Sequence, residues 1–347
     1  MGSLLTKNDQ EKMKSLKYFL SATALILVLS ACTKEEEKPN TPPVVEQKSY
    51  RVPAFLGNAS FEYVEKQVAF GPRVPNSDAH KACASWIVNT LKSFNWEVIE
   101  QEFVATAFTG DKLQSNNIIA QYNPSAKKRI LFGAHWDTRP FADSPLSKKD
   151  VNKPIDGADD GASGVGVLME LASVISQNPI EANDLGIDII FFDSEDYGDS
   201  SGNSKDSYCL GSQYWAKNKH TPNYNAEFGI LLDMVGTENA RFTKEEGSMY
   251  FAGPVMNKVW QLAQDMGMGD KFVNDATSMI LDDHYYVNTI AKIPMIDIIN
   301  RPVTTETGFG HYWHTHDDNM DIISKNTMKD VGQLLAAVIY RSASGKF

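Results

Sequence analysis

Five places in the chain put His, Asp or Glu at the end of an apolar run or in a loop. His135-Trp136-Asp137 follows Ile130–Ala134, and Asp159-Asp160 lies within Gly157-Ala158-Asp159-Asp160-Gly161-Ala162-Ser163-Gly164. Asp193-Ser194-Glu195-Asp196 follows Ile189–Phe192, and Asp233 follows Ile230–Leu232. Trp313-His314-Thr315-His316-Asp317-Asp318 stands near the C-terminus. Carboxylate oxygens and imidazole nitrogens suit a borderline cation such as zinc, and the set contains no thiolate. Taken singly, each position has an ordinary explanation. Asp160 can be the N-cap of a helix opening at Ala162, Glu195 and Asp196 a solvated loop, and His135 a core histidine. Asp137, two residues past His135 in an extended segment, is placed to support the imidazole from outside the ligand set.

Such residues act together only if the fold gathers them. Helices are expected over Phe61–Phe70 and His80–Phe94, the second with Trp86, Ile87 and Leu91 on one face. Strand-like segments cover Trp96–Val104, Asn117–Tyr122, Ile130–His135, Ile187–Asp193, Phe228–Val235 and Pro294–Ile299. Several are continuous apolar runs of the kind buried on both faces of a sheet. Ala162–Ser176, Pro254–Met266 and Lys329–Arg341 supply helices between or after them. The alternation predicts one three-layer α/β/α domain over residues 50–347, with a central mixed, mostly parallel sheet. In such sheets ligands bind beyond the carboxyl ends of strands, where these acids and histidines fall. The chain has no internal repeat.

The 347 residues hold 33 Lys+Arg against 44 Asp+Glu, a net charge of −11. That excludes the basic face that nucleic-acid binding requires. With 42% hydrophobic and 22% charged residues the chain has globular rather than disordered composition. Three cysteines cannot form a disulfide framework. Lys12, Lys14 and Lys17 precede the apolar stretch Tyr18–Leu29, too short to span a bilayer but of signal-peptide length. It ends Leu29-Ser30-Ala31-Cys32, which resembles the lipobox of bacterial lipoproteins. Residues 1–31 are therefore expected to be a signal peptide, with a natural start at Met13. Residues 32–49 are expected to be a lipidated Cys32 and a solvated tether. The expected location is the envelope of a Gram-negative bacterium, periplasmic or surface-exposed, on the outer membrane. Lys34-Glu35-Glu36-Glu37 also resembles surface-export tags of some Gram-negative lipoproteins.

The order of the acids and histidines resembles that of zinc aminopeptidases with two co-catalytic metals. It more closely resembles their relatives of the same fold, the glutaminyl-peptide cyclotransferases (glutaminyl cyclases), which work with one zinc. The likeness runs from about Phe61 to the last helix. It includes Phe70-Gly71-Pro72-Arg73, Asn117-Ile118-Ile119, Ala134-His135-Trp136-Asp137 and Gly157-Ala158-Asp159-Asp160. Peptidases of this fold commonly have Ser-Asp-His where this chain has Asp282-Asp283-His284, and Tyr where it has Trp313. The resemblance implies Asp160, Asp196 and His314 as ligands of one zinc, and Glu195 as general acid/base. It implies Asp233 and Asp282 as a hydrogen-bonded pair supporting Glu195, and Trp313 as a wall of the substrate pocket. The chain departs from the animal cyclases at Tyr197–Ser201, at Leu281, at Asp297 where they have His, and in having Asp rather than Glu at 196. Tyr208-Cys209-Leu210-Gly211-Ser212 looks more like bacterial members.

The implied reaction closes the N-terminal Gln of a peptide or protein to pyroglutamate and releases ammonia. The attacking amine and the amide share one molecule, so proximity comes with the substrate. Electrophile polarisation and proton traffic remain for the protein. In the alternative, an aminopeptidase, His135 and Asp233 hold a second metal and Glu195 is the base for a bridging water. A third alternative is an inactive peptide-binding lipoprotein. Cys83 and Cys209 can pair or stand as separate thiols, and His311 and His316 read as solvent-facing neighbours of His314.

Overall fold

A computed structural model describes residues 51–347 apart from 183 and 205. The expected signal segment, Cys32 and the tether therefore lie outside the described residues. The described residues lie within one compact unit.

The chain opens with helices α1 (Gly57–Val68) and α2 (Asp78–Ser93), then strands β1 (Glu97–Thr106), β2 (Lys112–Tyr122) and β3 (Lys128–His135). Helix α3 (Ala162–Gln177), β4 (Leu185–Phe192), α4 (Leu210–Lys217) and β5 (Phe228–Asp233) follow. Then come β6 (Phe242–Glu245), α5 (Glu246–Asp265), β7 (Phe272–Thr277), α6 (Asp283–Tyr286), β8 (Met295–Ile299) and α7 (Lys325–Ala343). Six strands form one sheet in the order β1-β2-β4-β3-β5-β8, and β6 and β7 form a small separate pair. β4, β3, β5 and β8 run parallel; β1 and β2 are antiparallel to their neighbours. The mixed, mostly parallel sheet agrees with the expectation.

The apolar runs become strands buried on both faces, because alternate side chains point to opposite sides. Phe132, Ala134, Ile189, Phe191, Ile230 and Leu232 enter the core shared with α3 and α7. Leu131, Ile190, Phe192 and Leu231 enter a second core with Trp215 of α4 and Val287 just past α6. α3 is buried along nearly its whole length, so its sequence is apolar on every side rather than amphipathic. β1 is one of the two sheet edges, and its exposed glutamates blunt that edge.

Four short elements, α4, α6, β6 and β7, escape sequence periodicity. α4 has only 8 residues and its N-cap, Cys209, makes no side-chain cap bond. β6 and β7 are too short to show alternation. α5 begins at Glu246, ahead of the expected Pro254, because Glu245 caps it through the Gly247 and Ser248 amides. Non-helical Ala252 then accommodates Pro254 within the helix.

Candidate active site

The parallel strands deliver their carboxyl ends to one edge of the sheet. β3 ends in His135, β4 leads into Glu195 and Asp196, and β5 ends in Asp233. Beyond them lies a cleft of about 440 Å³, bordered also by Asp160, Asp282, Trp313 and His314.

Two groups of ligand-type atoms meet there and share Asp160. In the first, His314 Nε2 lies 3.1 Å from Asp196 Oδ1 and 3.6 Å from Asp160 Oδ2. In the second, His135 Nε2 lies 3.0 Å from Asp160 Oδ1 and 3.3 Å from Asp233 Oδ1. All five residues are buried. Asp160 Oδ2, Asp196 Oδ2, Asp233 Oδ1 and both His135 ring nitrogens have no hydrogen-bond partner. Buried polar groups left without donors are costly, and a cation between them would satisfy them. The residues therefore fit a metal of the zinc type.

The electrostatics show the same crowding. Burial alone would lower the His314 pKa, but Asp196, Asp143 and Asp160 lift it to about 9. Burial raises Asp233 to about 8, with Asp160 and Asp282 adding and His135 opposing. Burial also holds the Glu195 carboxyl well above its usual range, with Asp196, Asp282 and Asp283 adding and His135 opposing.

The loops carrying these groups are fixed by buried acids. Asp137 accepts the backbone N–H groups of Glu195 at 3.0 Å and Asp196 at 3.2 Å. Its Oδ1 also lies 3.5 Å from His135 Nδ1. The expected supporter of His135 thus also clamps the exit of β4. Asp318 accepts the backbone N–H groups of Asp159 at 2.7 Å and Asp160 at 3.1 Å. Asp143 lies 3.6 Å from His314 Nδ1 and receives a two-pronged bond from Arg139. Arg139 in turn donates to the Asp196 carbonyl at 2.8 Å. Asp318 was visible only as part of a His/Asp cluster, and nothing in the sequence marks Asp143 or Arg139.

Backbone conformation completes the placement. Gly161 is left-handed at φ 98, and a Cβ there would stand 2.6 Å from the Asp137 carbonyl oxygen. Gly161, not Asp160, is the N-cap of α3. The capping explanation of Asp160 is thereby excluded: its carboxylate faces His135 and His314 instead. Ser194 (φ 55), Cys209 (φ 58), Met234 (φ 47) and His314 (φ 55) are also left-handed. Non-glycine residues adopt this region rarely.

The expected Asp233–Asp282 hydrogen bond is a correction. Asp233 faces His135. Asp282 accepts the Asp283 N–H, and its carboxylate lies in one buried group of ligand-type atoms with His284 and Asp297 of β8. Burial, reinforced by Asp282, Asp233 and Glu245, raises the Asp297 pKa well above its usual range. Trp313 stacks on His314 with centroids 3.8 Å apart and on Phe309 at 4.6 Å, forming one cleft wall. Leu281 lies on the same cleft. Cys83 and Cys209 are separate, buried free thiols. His311 is exposed, and His316 turns to the Asp150 carbonyl rather than the site.

Residues 117–339 match the model of peptidase family M28. The chain is similar to a Zn-dependent exopeptidase from Parabacteroides distasonis, with 49% identity and a TM-score of 0.81. That match covers 84% of this chain and 99% of the other. It is similar to Tannerella forsythia glutaminyl cyclase, with 47% identity and a TM-score of 0.80 over 83% and 99% of the two chains. It is also 26% identical over 284 residues to the glutaminyl-peptide cyclotransferase of Drosophila melanogaster, covering 76% and 75% of the two. The family and these neighbours imply zinc, for which the Asp and His ligands are suited. With the family match spanning the whole set of metal-type residues, from β2 into α7, the chain belongs to peptidase family M28.

Proposed function

We propose that this protein is a glutaminyl-peptide cyclotransferase that converts N-terminal Gln of peptides and proteins to pyroglutamate. One observation carries the reading: a complete three-residue ligand set lies beside a Glu195–Asp282 pair on the same cleft. Likeness to solved glutaminyl cyclases over most of the chain supports it.

In the reaction, the α-amine forms a bond to the side-chain amide carbon, the amide C–N bond breaks, and ammonia leaves. Asp160, Asp196 and His314 would hold one zinc per chain, which when bound supplies a Lewis acid for the amide oxygen. Glu195 borders the cleft. It takes the proton from the attacking amine and returns it to the departing nitrogen. Burial, with Asp196, Asp282 and Asp283 nearby, raises its proton affinity, so it can hold that proton between the two transfers. Trp313 offers a flat apolar face against which the glutamine side chain is confined.

A second reading, a dizinc aminopeptidase, has its own support. His135, Asp160 and Asp233 form a second ligand group. Incubating the protein with a Gln-initiated peptide separates the two. Ammonia and loss of its mass from the intact peptide are expected; release of the first amino acid would favour the peptidase. Chelation should abolish turnover and one zinc per chain restore it, whereas a requirement for two would again favour the peptidase.

The lipobox-like Cys32 supports an envelope lipoprotein held on the outer membrane by its lipid. The net charge of −11 is consistent with a partner set of peptides and without nucleic acid.

A further inference from the structure

α4 starts hard against the exit of β4. The Cys209 N–H donates to the Glu195 carbonyl at 2.8 Å, and the Leu210 N–H donates to the Ser194 carbonyl at 3.1 Å. The approach is close enough to require glycine at 211, where a Cβ would stand 2.3 Å from the Asp193 carbonyl oxygen. Cys209, left-handed and buried, places its thiol 3.1 Å from Glu195 Oε1 and donates to it. Glu195 lines the cleft and Cys209 does not. The thiol therefore sits behind the carboxylate, on the side away from substrate.

We propose that Cys209 is a positioning residue for Glu195: its S–H holds Oε1 on the buried side and leaves the other oxygen toward the cleft for proton transfer. The inference rests on the reading of Glu195 as the acid/base. A thiol suits this place. Asp282 lies in the same group of ligand-type atoms as Glu195 and Cys209, so an acidic donor would add charge to charge. Burial, with Glu195, Asp283 and Asp282 nearby, keeps the thiol protonated. The backbone bonds fix where Glu195 starts, and the thiol fixes where its carboxylate ends.

The rival role is packing alone. Cys209→Ala and Cys209→Ser separate the two, because alanine and serine are similar in size and only serine keeps a donor. Both variants and the wild type are measured for zinc content, melting temperature, kcat and KM on a Gln-initiated peptide. Cys209→Ala should lower kcat by roughly ten- to a hundredfold, the range expected when an acid/base is misplaced. KM and zinc content should stay unchanged, and Cys209→Ser should restore most of the loss. Wild-type kcat in Cys209→Ala, or equal losses in both variants, would overturn the proposal. If the wild type releases an amino acid instead of ammonia, the cyclase reading fails. The same alanine–serine contrast is then read on that release, since Glu195 is the base there too.

Discussion

Glu195 and Asp196 are adjacent acids with different surroundings. The Asp196 carboxylate faces His314, whereas Glu195 turns to Cys209. Neighbours on an extended strand would point to opposite sides. The left-handed Ser194 bends the chain first, and Asp137 holds both amides of the bend. Glu195→Gln keeps size and hydrogen bonding but cannot carry a proton. It should retain zinc and lose roughly 10²–10⁴-fold in kcat. Asp196→Ala removes a ligand, so zinc content and turnover should fall together. Metal analysis beside kinetics checks both, and the opposite pattern would reverse the roles. His135, Asp196 and Asp233 were legible in the sequence because strand ends advertise themselves through the apolar runs before them, and Asp160 and His314 because they sit in Gly-rich or His/Asp-rich loops. Asp143, Asp318 and Cys209 were not. Two of them act on partners more than a hundred residues away, and a bond to a backbone amide leaves no pattern of residue types.

Among the elements, α3 shows what a helix must give up to sit beneath a site. It is packed on all sides, with α1 and α7 on its outer flank, and so has no solvent face for its one acid, Glu170. Burial pushes that carboxyl up to about 7, the Glu62 charge adding and the Leu56 amide opposing. The folded state therefore holds the proton more tightly than the unfolded chain. Stability from this group is full below the unfolded glutamate range near pH ~4 and is lost as pH rises toward 7. Glu170→Gln should raise the melting temperature at pH 8, by about a few degrees, and leave it nearly unchanged at pH 4. Turnover should not change, because Glu170 is remote from the cleft. Thermal melts at both pH values decide it; an equal shift at each would show that ionisation is not the cause. The central strands and α3 were readable as apolar runs of the right length, whereas α4, whose N-cap is Cys209, was too short and lacked a capping side chain.

For the whole molecule, no described helix is long and apolar enough to cross a membrane. If the protein is membrane-bound, the lipobox-like Cys32 is the anchor expected from the sequence. Cys32→Ala should move the protein from the membrane to the soluble fraction, because an acidic domain gains nothing from an anionic surface. Persistence with membranes in high salt would remove the lipid-anchor reading.

The left-handed residues have a consequence for the protein's thermal economy. Among the described residues, most non-glycine residues with positive φ are Asn or Asp, which tolerate it. The exceptions are Ser194, Cys209, Met234, Lys292 and His314, and all but Lys292 belong to the segments that build the cleft. At roughly 1–3 kcal/mol each, their combined cost is comparable with the total stability of a typical domain, about 5–15 kcal/mol. Most of the strained, non-Asx left-handed backbone among the described residues is thus concentrated in the segments around the cleft. Selection for heat resistance alone should drift these positions toward residues at ease in that conformation, and the survivors should be hardier and slower.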